Sequence, residues 1–209
     1  MRRLLIWGAG DQGTVTLECA LAMKRYEQID FLEIKEKGSR QIPGYTIHRE
    51  DDNLIPLLKM YDEVIVATGN NDLREAKHSI LTGERIPAAT VIHPTAVVSP
   101  SAAVGEGSAI LAAAVLGVNA SVGSGCIVNT GAIIEHDCVV EDFVNISPKA
   151  AMAGHTRIGR KSFLGIGCTI LDDITVGEET IVGAGAVVIR DVPDRTVAVG
   201  VPAKTVRQL

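Results

Sequence analysis

From Ile92 onward the chain places an aliphatic residue at every sixth position. The series runs Ile92, Val98, Val104, Ile110 and so on through Val182 to Val188, seventeen consecutive sites filled by Ile, Val, Leu or Met. Four places after each comes a small or β-branched residue, among them Ala96, Ser108, Cys126, Ala132, Cys138, Thr156, Cys168 and Ala186. An amphipathic helix repeats its apolar face every three to four residues and a half-buried strand every two. A period of six with two inward positions per unit excludes both. The stretch between Glu106 and Glu135 carries no charge and imitates a membrane span, but Gly, Ser, Asn and Thr interrupt it at regular intervals. A spanning helix would show a nearly continuous apolar run instead. Hydrophobic residues make up 46% of the chain, yet there are only three Phe, three Tyr and one Trp beside 21 Gly. The core must therefore be thin and aliphatic.

This pattern resembles the hexapeptide repeat of left-handed parallel β-helix proteins, over roughly half of the chain. The resemblance implies short strands joined by turns, three hexapeptides to a triangular coil, and coils about 4.8 Å apart. The aliphatic and the small residue point inward. Glycine often follows the aliphatic directly (Gly105, Gly117, Gly123, Gly159, Gly165, Gly177, Gly183), where a tight backbone turn is expected. Cys126, Cys138 and Cys168 take the small inward position on three different faces, and Cys19 lies in an expected helix. With no Cys-x-x-Cys or Cys/His ligand spacing, all four are expected to be reduced structural thiols.

The first 90 residues follow another rule. Residues 2–7 read as a buried strand, Gly8-Ala9-Gly10-Asp11-Gln12-Gly13 as a turn, and Thr14 to about Tyr26 as a helix. A second strand, Asp30–Ile34, carries Glu33 twenty residues past Gly13. Strand, glycine turn, helix and strand form the context of a nucleotide-binding βαβ unit, in which glycines admit a diphosphate to a helix N-terminus. A third apolar run, Val64–Thr68, ends in Gly69-Asn70-Asn71 and opens a helix containing Arg74; a last strand near Thr90–Ile92 enters the repeat. Such a unit is half of a dinucleotide fold, so a mononucleotide or nucleotide-sugar suits it better than a nicotinamide dinucleotide. The expected organisation is an α/β half-Rossmann-like βαβ domain over 1–90, a left-handed parallel β-helix over 91–193 and a C-terminal tail over 194–209. A net charge of −5 offers no phosphate-backbone surface, so no nucleic-acid partner is expected. The apolar run at the start stops at Gly8 and Asp11, too short for a secretory segment. A soluble, cytoplasmic protein without a membrane span is expected.

Within the repeat, most outward positions are ordinary. The exception is Ile134-Glu135-His136-Asp137-Cys138, where three ionisable residues stand together. Steps of eighteen residues place Val118, Gly154 and Asp172 in the column of His136, and Asn119, His155 and Asp173 in that of Asp137. An imidazole oriented by a carboxylate suits general-base work near neutral pH. His136 and His155 occupy offset columns and no third histidine joins them, so a three-imidazole zinc site is not expected and no metal is assigned.

Taken together, Gly8–Gly13, Glu33, Gly69-Asn70-Asn71 with Arg74, Ile92-His93-Pro94, Glu135-His136-Asp137 and Gly200-Val201-Pro202-Ala203-Lys204 resemble one family over nearly all 209 residues. It is the bacterial sugar acetyltransferases that include the PglD-type nucleotide-4-amino-sugar N-acetyltransferases, the perosamine N-acetyltransferases and the NeuD-type sialic acid O-acetyltransferases. The resemblance implies acetyl-CoA as cosubstrate, with His136 as the base and Asp137 as its supporting carboxylate. It implies that Asn145, Gly154, Ile166 and Ala184 border the CoA slot. Gly10, Asp11, Gln12, Glu33 and Gly69 would contact a nucleotide-sugar, and Gly200–Lys204 would border CoA. It further implies a homotrimer whose sites lie between neighbouring β-helices. The expected reaction is N-acetylation of a nucleotide-linked 4-amino-4,6-dideoxysugar for surface glycan synthesis. O-acetylation of sialic acid or a related sugar is the nearest alternative, and a non-catalytic trimeric nucleotide-sugar-binding scaffold the alternative from another class. Two positions depart from many nucleotide-amino-sugar members: Asn145 stands where those carry His, and Gln12 replaces a frequent His in the glycine turn.

Overall fold

The computed structural model of the chain describes residues 2–34, 41–50 and 53–209. Four parallel strands, β1 (Arg2–Trp7), β2 (Tyr26–Ile34), β3 (Ile47–Glu50) and β4 (Glu63–Val66), form a sheet in the order β3-β2-β1-β4. Helices α1 (Asp11–Met23), α2 (Leu54–Leu58) and α3 (Asn71–Gly83) cover it. Alternation along β1 explains the layering. Leu4 and Ile6 pack with Leu17 and Ala20 of α1, while Leu5 and Trp7 pack with Leu58 of α2 and Leu81 of α3. A parallel sheet is expected to be buried on both sides in this way. Helix α1 begins at Asp11, three residues before the expected Thr14, because extended Gly10 already serves as its N-cap. It ends at Met23 rather than near Tyr26, since Lys24 turns left-handed and donates its N–H to the Leu21 carbonyl.

From Val91 to Val188 follow seventeen two-residue strands, stacked as three parallel sheets. Each pairs with the strand eighteen residues on, as in Ile127↔Asn145, Ile133↔Ala151 and Val139↔Arg157. Three hexapeptides therefore complete one coil of a β-helix. The six-residue aliphatics and small residues from Ile110 to Val192 form one continuous core. The expected role of the glycines needs correction. Positive φ falls three places after the aliphatic, at fourteen successive sites from Gly107 to Gly185, and most of these are not glycine. Glycine directly after the aliphatic answers a different need, clearance. A Cβ on Gly105 would lie 2.5 Å from Ser124 N of the next coil, and one on Gly159 2.5 Å from Glu178 N.

The two parts share a core. Val91, Ala109 and Leu111 of the first coils pack in the cluster that contains α1. At the other end, Thr196–Val199 pairs parallel with Ile181–Val182, and Lys204–Gln208 returns antiparallel to it. Among the described residues no helix is long and apolar enough to cross a membrane.

Candidate functional site

Strands β1 and β4 are neighbours, but the chain leaves them for opposite faces of the sheet, into α1 and α3. A crevice opens beyond strand ends at such a switch point, the usual ligand position in parallel α/β sheets. Here it is a cleft of about 200 Å³. The five residues expected to contact a nucleotide-sugar (Gly10, Asp11, Gln12, Glu33 and Gly69) all line it. The three turn glycines have separate causes. A Cβ on Gly8 would collide with the Ala67 carbonyl at the end of β4, and one on Gly13 with the Gly8 carbonyl. A Cβ on Gly10 would meet no atom of the described residues within 4 Å, so its missing side chain leaves room on the ligand side. Glu33 is buried and accepts the N–H of Ala9 on one carboxylate oxygen and of Ile34 on the other, each at 2.9 Å. Its carboxylate thus clamps the glycine turn.

Trp7, Thr68, Leu73 and Lys77 also line the cleft and carried no signal in the sequence. Lys77 Nζ lies 4.6 Å from the centre of the Trp7 ring and 3.2 Å from Glu50 Oε2, which also accepts from Trp7 Nε1 at 2.9 Å. A cation is thereby fixed in the wall of an otherwise acidic turn. Gln12 Nε2 is buried with no hydrogen-bond partner among the described residues.

On the β-helix, His136 and Asp137 occupy the turn between strands Ile133–Ile134 and Val139–Val140. The eighteen-residue register brings their column neighbours into contact. Asn119 donates its amide to Asp137 Oδ1 at 3.0 Å, and His136 Nδ1 lies 2.9 Å from Asp137 Oδ2. First the Asn119 amide and then the His136 ring hold the Asp137 carboxyl below the usual carboxylate range. An ionised carboxylate only accepts, so in the neutral ring Nδ1 carries the proton and Nε2 the lone pair. The ring packs against the next coil because Gly154 is there: a Cβ at that position would stand 2.5 Å from His136 Cε1 and 2.6 Å from Nε2. The His155 ring meets it edge-on, with centroids 5.2 Å apart. No cysteine competes, since all four are buried and unpaired.

The other residues expected beside CoA do not join this corner. Ile166 and Ala184 are exposed on successive coils of another corner, each just after a strand of the sheet that carries Phe163–Leu164 and Ile181–Val182. Between the corners runs the outward face of the intervening sheet, with Val97, Val115, Ile133 and Ala151 in register. Val97 and Ile133 are exposed there. Asn145 lies on the same sheet as Phe163–Leu164, directly paired with Phe163 but buried under the N-terminal unit, where its amide donates to the Gly69 carbonyl at 3.3 Å. The Gly200–Lys204 segment forms the turn of the C-terminal hairpin.

Two family models match the chain: the PglD N-terminal domain over residues 3–81 and the bacterial transferase hexapeptide (six repeats) over residues 155–190. Among solved structures, a histidine-to-asparagine variant of perosamine N-acetyltransferase from Caulobacter crescentus, in complex with CoA and GDP-perosamine, superposes with a TM-score of 0.91. It is 34% identical, and the match covers 98% of this chain and 97% of that one. The acetyltransferase domain of PglB from Neisseria gonorrhoeae FA1090 also gives 0.91, at 36% identity over 99% of this chain and 100% of that one. The bifunctional protein GlmU of Lawsonia intracellularis is 44% identical over 45 residues, 22% of this chain and 10% of that one. The first curated relatives are matched over only 10% to 29% of their own length.

Proposed function

The chain belongs to the sugar acetyltransferases of the PglD and perosamine N-acetyltransferase type, and from that membership we propose that it moves an acetyl group from acetyl-CoA to the amino group of a nucleotide-linked 4-amino-4,6-dideoxysugar, in the service of surface glycan synthesis. The observation that carries the mechanism is the His136–Asp137 pair laid over Gly154 on an open corner of the β-helix. The nucleotide part of the acceptor belongs in the cleft beyond β1 and β4, its diphosphate near the N-terminus of α1 and beside Lys77, which also pairs with Glu50.

His136 Nε2 takes the proton from the attacking amine as nitrogen closes on the thioester carbon. Asp137 holds the Nδ1–H tautomer and stabilises the imidazolium. That proton then goes to the departing thiolate, and CoA leaves as the free thiol. Neither a covalent acyl-enzyme nor an outward cysteine is involved. Acetyl-CoA fits the residues present only when two corners are combined. One corner offers the base, and the other offers exposed Ile166 and Ala184 beside Gly167 and Gly185, where an added Cβ would meet no described atom within 4 Å. The exposed apolar strip between them supports pairing of one chain's His136 corner with another chain's Ile166 corner. In a homotrimer this gives three shared sites.

The test is release of CoA thiol, followed with a thiol reagent, on offering nucleotide-linked 4-amino sugars. His136→Ala should lower kcat by about 10²- to 10⁴-fold, the usual share of a general base, without changing the assembly. Wild-type turnover in that variant removes the base assignment, and turnover only with free sialic acid removes the acceptor assignment.

A further inference from the structure

The donor atoms of His136, Asp137 and His155 lie within 4.8 Å of one another, on two adjacent coils. Asp137 and His155 sit one coil apart, and both take φ of 58°, so their side chains leave the same corner in the same direction. The rings of His136 and His155 stand nearly perpendicular at 85°. Solvent reaches the cluster, since the His136 and Asp137 side chains are 52% and 39% exposed. We infer that these three residues form a binding site for a borderline divalent transition-metal ion such as Zn²⁺, and that its occupancy switches the transferase off.

From the sequence a zinc site is not expected and no metal is assigned, because no third histidine joins His136 and His155. The third ligand here is a carboxylate, which the register alone did not aim at the His136–His155 pair. Two neutral imidazoles and one anionic oxygen suit zinc, nickel or copper. Magnesium and calcium demand oxygen ligands, and one carboxylate is too few for them. The consequence for turnover follows from the imidazole itself. A metal on Nε2 occupies the lone pair that would accept the amine proton. A metal on Nδ1 displaces the hydrogen bond to Asp137 and leaves the ring's remaining proton on Nε2. In either case no acceptor remains. The coordination stands on geometry alone, whereas the switch rests on His136 being the base.

The experiment uses Zn²⁺ on the full chain, with affinity read by competition against a chromogenic chelator and turnover read by CoA release. One zinc per chain is expected, bound reversibly to a stronger chelator, with millimolar Mg²⁺ neither competing nor inhibiting. His155→Gln should weaken zinc by more than about 100-fold, beyond the cost of losing an outer-shell partner, and should shift zinc inhibition of that variant's own rate by the same factor. Asp137→Asn should weaken zinc as well, and thermal melting confirms that each variant is folded. Zinc binding that is absent, or unmoved in folded His155→Gln, overturns the site. Zinc bound with full turnover overturns the switch, and the His136→Ala result then says independently whether the base assignment fell with it.

Discussion

Arg74 is the residue on which the joint between the two parts depends. The residue is 1% exposed, and among the described residues its guanidinium has no carboxylate hydrogen-bond partner. Nε donates to the Gly125 carbonyl at 2.6 Å, Nη1 to that of Thr68 at 2.9 Å, and Nη2 to Asn71 Oδ1 and the Phe143 carbonyl at 2.7 Å each. Burial brings it down to about 10, still far above neutrality, so the charge persists and four acceptors carry it. Replacing it with Met keeps an unbranched apolar stem, though a shorter one, and removes every donor. Each hydrogen bond to a charged group contributes about 1.5–3 kcal/mol, and a buried carbonyl left unpaired costs about 1–3 kcal/mol. The loss is capped by relaxation, and a broken buried hydrogen-bond network lies at the upper end of single-substitution effects, about 3–5 kcal/mol. That is a large share of a stability of about 5–15 kcal/mol. Arg74→Lys keeps the charge but reaches fewer acceptors, so about half of that loss is expected.

Urea unfolding at fixed protein concentration measures it, with fluorescence of Trp7, the only tryptophan, as the probe. Trp7 is fully buried beside the same cleft, so its signal reports the N-terminal unit. Thr68, one of the acceptors, lines that cleft. Arg74→Lys should therefore also raise KM for the nucleotide-sugar more than it lowers kcat. A loss under about 1 kcal/mol for Arg74→Met, with KM unchanged in Arg74→Lys, refutes the reasoning.

Gly154→Ala puts a methyl 2.5 Å from His136 Cε1, so the ring must swing away. A misplacement of about 1 Å at a reacting group can cost about 10²-fold, and kcat should fall by that order while the melting temperature barely moves. The turn glycines should separate cleanly: Gly13→Ala collides with the Gly8 carbonyl and should fail to fold stably, whereas Gly10→Ala meets no atom of the described residues and should fold normally but raise KM for the nucleotide-sugar at least about tenfold. Burial pushes Cys19 and Cys126 up to about 12 and Cys168 to about 11, and raises Cys138 as well. A thiol reagent at neutral pH should find no reactive cysteine in the native chain and all four after unfolding; rapid labelling of any native thiol contradicts their placement.

The repeat was legible because a coil of fixed length makes burial depend on position modulo six, and nothing in the tertiary structure overrides that rule. The glycines show where composition misleads. Asn119, Asp137, His155 and Asp173 take positive φ without glycine, while Gly105 and Gly159 are glycine for want of space against the next coil. One residue type met two needs, and the sequence does not separate them. In the N-terminal unit β3 and α2 went unread. Ile47–Glu50 is four residues with two charges, and Leu54–Leu58 contains a proline in its first turn. Their place is set by β2 beside them and by Leu58 and Tyr61 beneath the sheet.

The site was half legible for a physical reason. A repeat of six, three to a coil, states which residues share a corner: His136 with Gly154, and Asp137 with Asn119. It states nothing about what covers a face. Asn145 is buried because the N-terminal unit folds back onto its sheet, an event governed by Arg74 and by Asn71, whose amide donates to the Lys161 carbonyl at 2.6 Å. Lys77 reaches the cleft only because α3 lies over Trp7, and a fully buried tryptophan in a strand reads as ordinary core. The same logic bears on Ile166 and Ala184. They fall on a corner that no single chain can bring to His136, because a sheet of the prism separates the two. In the proposed transferase the site is therefore completed by a second copy. A chain held monomeric, with the Val97–Ile133 strip covered by substituted charges, should still fill the nucleotide cleft yet release no CoA.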